Sequence, residues 1–284
     1  MNPTVIIATR GRPEILAATL DSVWGQDVPP REVTVVATEQ ADVPPSAAHL
    51  PGTRILFGGP GSTIQRNIGL DVIPPDADPV VFLDDDVELA PDYFGRVVQF
   101  LDDHPEVVGL SGVTVHDGPC TREWAIDRVR LDSERTGRWW LADSLYGCNM
   151  VFRRPAVESV RFDERLALYG WLEDKDFSVR VGRVGPLVTL ADARLVHMAA
   201  RSGRVSGTRL GFAQIMNPVY LWRMNGTLTT RQMLAYVARP LALNAVGIVH
   251  PKGIDRLGRL KGNVAALGLI ARRQIEPEAV RDIP

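Results

Sequence analysis

Short apolar runs that alternate with helical patterns constrain the fold of this chain more than any other feature. β-rich apolar runs occupy residues 4–9, 32–38, 53–57 and 79–83. Residues 13–24 and 62–72 lie between these runs and carry apolar side chains at helical spacing, and a Ser-x-x-Gln capping box opens the second stretch. Alternation of this kind predicts a parallel α/β sheet with helices on both faces.

Composition excludes several classes of protein. The 284 residues are 45% apolar and 23% charged, with a formal net charge of −2, so no overall field points to a nucleic-acid partner. Two cysteines are too few for a disulfide framework and favour a cytoplasmic protein with free thiols. The first residues do not resemble a signal peptide, and Arg239, Pro240 and Asn244 interrupt the longest apolar stretch, so we predict no transmembrane helix.

The pattern changes in the second half of the chain. Residues 116–147 are polar and rich in Trp, without a clear period, and we interpret them as a variable loop region. Helical spacing dominates from the capping box at 229–232 to Arg273. We therefore predict an α/β catalytic domain over 1–205 and a C-terminal helical extension over 206–284.

Three consecutive aspartates follow the fourth apolar run. Ligands bind at the carboxyl ends of strands in open α/β sheets, and Asp84, Asp85 and Asp86 lie at such an end. In an extended backbone Asp84 and Asp86 point to one side and Asp85 to the other. Two neighbouring carboxylates share a proton or hold a cation, for which Mg²⁺ or Mn²⁺ is suited. The residues alone leave a metal site and a solvated acidic loop both open.

Five further blocks agree with a known family in order and spacing. They are VIIATRGRPEILAATLDSVWGQ (5–26), GSTIQRNIGL (61–70), GCNMVFRR (147–154), RFDERLALYGWLEDKDFSVRV (161–181) and ARLVH (193–197). Together with the aspartates they resemble GT-A glycosyltransferases, in particular family 2, over about residues 4–198. The resemblance implies a GT-A fold with a mixed, mainly parallel sheet flanked by helices. It also implies inverting, metal-dependent sugar transfer from a nucleotide-diphospho-sugar (UDP, GDP or dTDP type) to an acceptor hydroxyl, in glycan, cell-envelope or natural-product glycoside synthesis.

The same resemblance implies a metal site. Asp86 matches the family's metal ligand, and His197 matches a histidine that completes the metal or diphosphate site. Asp84 and Asp85 match positions that hold the ribose or the waters of the ion. The expected ion is Mg²⁺ or Mn²⁺.

Nucleotide contacts are implied at three further positions. Thr9 and Arg10 match residues that touch the nucleotide, and Arg66 matches a cation near the phosphates. The family often carries a base-reading Asp after its second strand, where this chain has ATEQAD. Glu39 or Asp42 substitutes for that residue, or the base is bound otherwise, so the sequence leaves the donor base open.

Glu173 and Asp174, the acid pair, resemble the family's Glu-Asp pair. The resemblance implies that Asp174 is the general base that removes the acceptor proton, with Glu173 beside it. An acidic first helical turn stabilised by the helix dipole is the structural alternative. Trp171 and Trp140 are candidates for sugar or acceptor contact, and a core position is the alternative for Trp171.

Basic residues alternate with apolar ones near the C-terminus. Between residues 252 and 273 the chain has one acidic residue, Asp255, and six basic residues: Lys252, Arg256, Arg259, Lys261, Arg272 and Arg273. Such a helix lies on an anionic membrane, packs on the catalytic domain, or joins a second subunit, and the sequence leaves these readings open. The acceptors of many family members are lipid-linked, which keeps a peripheral location at the inner face of the membrane among the predictions.

Two other functions compete with sugar transfer. A sugar nucleotidyltransferase shares the α/β layout and the metal, but ATRGRPE has one Gly where that class has a glycine-rich loop. A non-catalytic carbohydrate- or metal-binding protein on the same scaffold is the third class.

Overall fold

The chain divides into two compact units. The structure is a computed structural model that describes residues 1–131, 136–199, 206–248 and 254–284. The first unit comprises 1–60, 64–161 and 177–203, and the second comprises 61–63, 162–176 and 204–284. The acid pair thus belongs to the second unit. The expected boundary at residue 205 and Lys252 of the basic segment lie outside the described residues.

The first half of the sheet is parallel. Its elements are β1 (Thr4–Ala8), α1 (Pro13–Trp24), β2 (Glu32–Ala37), β3 (Thr53–Phe57), α2 (Ser62–Asp71) and β4 (Val80–Asp84). Strand β1 pairs with β2 on one side and β4 on the other, and β2 pairs with β3. Pro13 opens α1, where a missing N–H costs nothing, and the helix buries Leu16, Leu20 and Val23 in the core.

The second half makes the sheet mixed. Its elements are β5 (Val87–Leu89), α3 (Tyr93–Asp103), β6 (Gly109–Asp117), α4 (Arg122–Arg130), β7 (Trp139–Leu141), β8 (Asn149–Phe152), α5 (Arg154–Val157), α6 (Glu173–Val181) and β9 (Leu187–His197). The described residues form a nine-stranded sheet in the order β3-β2-β1-β4-β8-β6-β9-β5, with β7 also on β9. Strands β6 and β9 are parallel, whereas β8, β5 and β7 pair antiparallel with their neighbours. The mixed α/β fold predicted from the sequence is confirmed.

Part of the region interpreted as a loop is helical. Thr121 caps α4 by accepting a hydrogen bond from the N–H of Trp124, and the helix buries only Ala125 and Val129. Two buried positions are too few for a visible period. The runs expected at 186–191 and 193–198 form one continuous strand, β9. The carboxylate of Asp192 within it accepts hydrogen bonds from the backbone N–H groups of Thr136 and Gly137.

The second unit contains three long helices, α7 (Gly207–Tyr220), α8 (Thr230–Val246) and α9 (Arg256–Ala271). The predicted capping box of α8 is present: the Thr229 hydroxyl accepts a hydrogen bond from the Gln232 N–H, and the Gln232 side-chain oxygen accepts one from the Thr229 N–H. Helices α7 and α9 cross closely, since a Cβ at Gly211 would lie 2.0 Å from the carbonyl oxygen of Arg259. Among the described residues, no helix has the length and apolar character needed to cross a membrane.

Candidate functional site

The sheet register brings the ends of several strands together. Strand β4 ends at Asp84 and β9 ends at His197. Val87 pairs with His197 between β5 and β9, and the N–H of Met198 donates to the carbonyl of Asp86 at 2.9 Å. The turn between β4 and β5 therefore holds the aspartates beside the end of β9.

Asp84, Asp86 and His197 form a cluster, here called the strand-end cluster. One ligand atom from each residue lies within 4.8 Å of the others. The Nε2 atom of His197 is 3.1 Å from Asp86 Oδ1 and 3.7 Å from Asp84 Oδ2. Two carboxylates and one imidazole match the donor atoms that bind a divalent ion such as Mn²⁺. The donor set fits the ion expected from the sequence.

Two arginines neutralise the aspartates in the structure. Arg66 Nη2 donates to Asp84 Oδ1 at 2.9 Å. Arg12 Nη1 donates to Asp85 Oδ1 at 2.8 Å and to Asp86 Oδ2 at 3.2 Å. Arg66 was expected near the phosphates, whereas Arg12 was missed by sequence reasoning. Its position in the N-terminal block, two residues after Arg10, was the available signal.

Asp85 faces into the protein. Thr9 Oγ1 donates to Asp85 Oδ2 at 2.6 Å while Arg12 occupies the other oxygen, and both Thr9 and Asp85 are buried. Burial raises the pKa of Asp85 to about 6; the charge of Arg12 opposes this shift, and that of Asp86 adds to it. Thr9 and Asp85 were both expected to contact the donor, and in the structure they form a hydrogen bond with each other.

His197 lies between two carboxylates. Its Nδ1 atom is 2.8 Å from Asp117 Oδ1, on the side of the ring opposite Asp86. Burial alone would lower the pKa of His197, but the hydrogen bond to Asp86 and the charges of Asp84 and Asp86, with Asp117, raise it to about 9. Asp117 was not predicted from the sequence.

The loops after β1 and β2 carry the remaining nucleotide candidates. Arg10 and Glu39 are exposed. Asp42 is buried and accepts backbone N–H groups from Gly11 at 2.6 Å, Thr38 at 2.9 Å and Glu39 at 3.1 Å. Burial favours the neutral acid, but a hydrogen bond from the Thr38 hydroxyl together with those from the N–H groups prevails and holds the pKa of Asp42 below its usual value. Asp42 is thus engaged by the backbone, whereas Arg10 and Glu39 face solvent.

The acid pair opens α6 after an unusual stretch of backbone. Leu168, Gly170 and Leu172 have φ of 61°, 68° and 75°. Left-handed backbone costs a non-glycine residue on the order of 1–3 kcal/mol and is concentrated at functional sites. Within the same unit Ser62 Oγ donates to Glu173 Oε1 at 3.3 Å.

Helix α7 and the turn after it hold this stretch. Asn217 Nδ2 donates to the carbonyl oxygens of Gly170 at 3.3 Å and Trp171 at 3.0 Å. Asn225 Nδ2 donates to Asp176 Oδ1, in the first turn of α6, at 3.1 Å. Residues of the helical unit therefore fix the backbone on which the acid pair and Trp171 are mounted.

Trp140 lies away from the strand-end cluster. It pairs with Thr189 on β9, eight residues before His197, which corresponds to roughly 25 Å of extended strand. Tyr146, another aromatic residue of the same region, lies at the cluster instead: its ring meets that of His197 edge-on, with centroids 6.4 Å apart.

Sequence comparison identifies one family. The sequence profile described as "Glycosyl transferase family 2" matches residues 4–161. The succinoglycan biosynthesis protein ExoM of Rhizobium meliloti (strain 1021) is 29% identical over 215 residues, which cover 70% of this chain and 67% of that protein.

Solved structures with the same fold include two sugar-nucleotide complexes. S. aureus TarS 1-349 in complex with UDP-GlcNAc has a TM-score of 0.62 at 17% identity, covering 99% of this chain and 83% of the other. The mannosyltransferase PcManGT from Pyrobaculum calidifontis, in complex with GDP-Man and Mn²⁺, has a TM-score of 0.52 at 20% identity, covering 96% and 86%. These similarities establish a GT-A fold.

Proposed function

The chain belongs to glycosyl transferase family 2 and is a glycosyltransferase, and we propose that it is inverting and metal-dependent. Its donor is a nucleotide-diphospho-sugar and its acceptor a hydroxyl group. The observation that carries the proposal is the strand-end cluster, where Asp84, Asp86 and His197 bring three ligand atoms within 4.8 Å.

The residues of the cluster would hold Mn²⁺ or Mg²⁺. A bound ion would supply positive charge to the departing diphosphate. We favour Mn²⁺, because an imidazole ligand suits a transition metal better than Mg²⁺ and because PcManGT was solved with Mn²⁺. Arg12 donates to Asp86 Oδ2 and Arg66 donates to Asp84 Oδ1, so the other carboxylate oxygen of each aspartate lies on the side of His197.

We assign the proton transfer to Asp174. As the acceptor oxygen bonds to the anomeric carbon, the bond from that carbon to the diphosphate oxygen breaks, and the hydroxyl proton passes to the Asp174 carboxylate. A single displacement inverts the configuration at the anomeric carbon. Glu173 is held by Ser62 and supports the pair.

A ligand screen by thermal shift tests the proposal. UDP, GDP and dTDP and their sugars are each added with Mn²⁺, Mg²⁺ or EDTA. A ligand at 100 times its Kd stabilises the folded state by about 2.7 kcal/mol, which raises the Tm by several degrees. We expect one nucleotide to raise the Tm in the presence of Mn²⁺ and not in the presence of EDTA. Asp86→Ala should lose this shift in Tm, and Asp102→Ala, which replaces an exposed aspartate, should retain it. No shift with any diphosphate would overturn the proposal.

The same ligands separate the competing functions when the release of nucleoside diphosphate is measured beside the thermal shift. A sugar nucleotidyltransferase would respond to a nucleoside triphosphate together with a sugar phosphate. A non-catalytic carbohydrate-binding protein would bind the donor without releasing the nucleoside diphosphate. The relative ExoM carries the name of a polysaccharide biosynthesis protein, which favours transfer in glycan or cell-envelope synthesis over natural-product glycosylation.

We further propose that the helical unit touches an anionic membrane through the α8–α9 surface. This surface consists of exposed side chains on one face of each helix that are apolar or basic: Arg239, Leu243 and Val246 on α8, and Leu257, Lys261, Val264 and Leu267 on α9. The single acid between residues 229 and 273, Asp255, accepts a hydrogen bond from the N–H of Gly258 as a helix cap. Two copies joined through this surface would oppose cations to cations, whereas anionic lipid complements it.

Vesicle co-sedimentation tests the membrane contact. We expect the chain to sediment with vesicles of phosphatidylcholine and phosphatidylglycerol, whose surface is anionic, and not with vesicles of pure phosphatidylcholine. Leu243→Asp with Val264→Asp should abolish sedimentation, while Leu131→Asp, an exposed leucine of the other unit, should not. Equal sedimentation of the double variant and Leu131→Asp would overturn the membrane contact. So would a wild-type dimer that dissociates in the double variant.

A further inference from the structure

Within the described residues, Asp117 is the carboxylate that contacts the Nδ1 atom of His197, and Tyr146 contacts Asp117 in turn. Asp117 Oδ1 lies 2.8 Å from His197 Nδ1. The hydroxyl of Tyr146 donates to Asp117 Oδ2 at 2.6 Å. One carboxylate thus joins a tyrosine hydroxyl to the imidazole at the cluster.

The sheet register fixes this arrangement. Asp117 ends β6 and pairs with His197 at the end of β9, and the N–H of Gly118 donates to the His197 carbonyl at 3.1 Å. Irregularities in the β6–β9 register occur between Gly112 and Val113 and between Thr114 and His116. Bulges of this kind re-aim side chains next to functional sites. Here they precede the position at which Asp117 meets the histidine.

The two ring nitrogens of His197 have different partners. Nε2 lies 3.1 Å from Asp86 Oδ1, on the side of the cluster, whereas Nδ1 faces Asp117. An imidazole binds a metal through a nitrogen without a proton, and the hydrogen bond at the other nitrogen determines which one that is. When an ion replaces the proton on Nε2, a proton held on Nδ1 by Asp117 would direct the Nε2 lone pair at an ion held by Asp84 and Asp86.

We propose that Asp117 and Tyr146 are positioning residues that hold His197 as an Nε2 ligand for the divalent ion. Asp117 accepts the Nδ1 proton and fixes the ring plane. Tyr146 fixes the carboxylate through its hydroxyl, and its ring meets the imidazole edge-on. This inference rests on the proposed metal site and adds two residues that act on the ion through His197.

Mn²⁺ affinity of the metal-free protein, measured by calorimetry, tests the proposal without any assay of activity. Loss of a carboxylate behind a ligating histidine typically weakens metal binding by 10–100-fold, which we expect for Asp117→Ala. Asp117→Asn keeps an acceptor oxygen for the Nδ1 proton and should lose less. Tyr146→Phe removes one hydrogen bond and should cost about fivefold. Asp102→Ala is the matched control, an exposed aspartate of the same unit, and should bind as the wild type does.

Nitrogen NMR of the Mg²⁺-loaded protein supplies a readout that a merely structural residue would not move. The His197 resonances, assigned by comparison with His197→Gln, should show the proton on Nδ1 in the wild type. Asp117→Ala should lose that preference while its unfolding temperature shows that it remains folded.

The outcomes are distinguishable. Mn²⁺ binding by Asp117→Ala within twofold of the wild type would overturn the positioning role and leave the metal site intact. A loss in Asp117→Asn as large as that in Asp84→Ala would also overturn it, because Asp117 would then be a direct ligand. A wild-type protein that binds no Mn²⁺ would overturn the metal site itself, and this inference with it.

Discussion

The two acidic regions of this chain use the same functional group in different surroundings. In the strand-end cluster, Asp84 and Asp86 are paired with Arg66, Arg12 and His197 on the sheet of the first unit. The acid pair opens a helix after a stretch of left-handed backbone in the second unit. Cations and rigid strands suit the binding of an ion, whereas a helix start that follows strained backbone suits a placed proton acceptor.

We propose that ion binding and proton transfer depend on separate structural supports. The aspartates are held by sheet register and arginines, so changes in the helical unit should leave ion binding intact. The backbone around the acid pair is held by Asn217 and Asn225, so changes there should reduce transfer first.

The largest effect is expected at Asp174. Replacement by Asn removes the proton acceptor and keeps the shape, so the rate should fall by about 10²–10⁴-fold. The measurement is the rate of hydrolysis of the donor found in the screen, in which water acts as the acceptor and nucleoside diphosphate is released. Glu276→Gln, an exposed acid of the same unit, is the control. A rate unchanged by Asp174→Asn would remove the base assignment.

A smaller effect is expected at Asp42, a carboxylate that serves the backbone instead of the reaction. Asp42→Ala leaves the N–H groups of Gly11, Thr38 and Glu39 without their acceptor, which should cost about 2 kcal/mol in the free energy of unfolding at pH 7.

Acid pH sharpens that prediction. Because the folded pKa of Asp42 is below its unfolded value, its stabilisation is complete above the unfolded value and is lost as the pH falls through the folded one. The gap between wild type and Asp42→Ala in urea unfolding should therefore narrow below about pH 4. A gap that widens on acidification would contradict this role; Asp102→Ala is the control.

The smallest effect is expected at Asn217. Asn217→Ala removes two hydrogen bonds to the carbonyl oxygens of Gly170 and Trp171, which allows the acid pair to shift. We expect roughly a tenfold slower release of nucleoside diphosphate, since a misplacement of about 1 Å can cost up to 10²-fold. Mn²⁺ affinity should stay unchanged, as in the exposed Gln274→Ala. Weaker Mn²⁺ binding by Asn217→Ala would show that the two regions are not separable.

The features that depend on neighbouring residues in the chain could be predicted from the sequence. The alternating runs specify the α/β fold. Asp85 points away from the strand-end cluster as the sequence predicted, but Asp85 and Asp86 lie in the turn after β4, so the turn and not an extended strand sets their directions. Arg12 and Asp117 were missed because their partners lie 73 and 80 residues away, and only the fold brings them together. Trp140 was grouped with the site by residue type, although strand pairing places it far along β9 from His197.

The most direct test is calorimetric titration of the Mn²⁺ complex of the nucleotide found in the screen into two variants side by side. We predict that Asp174→Asn binds this complex within twofold of the wild type. Asp86→Ala should bind at least about 100-fold more weakly, since loss of a ligand costs at least as much as loss of an outer-shell partner. Wild-type affinity in Asp86→Ala, or lost affinity in Asp174→Asn, would contradict the division between the strand-end cluster and the acid pair.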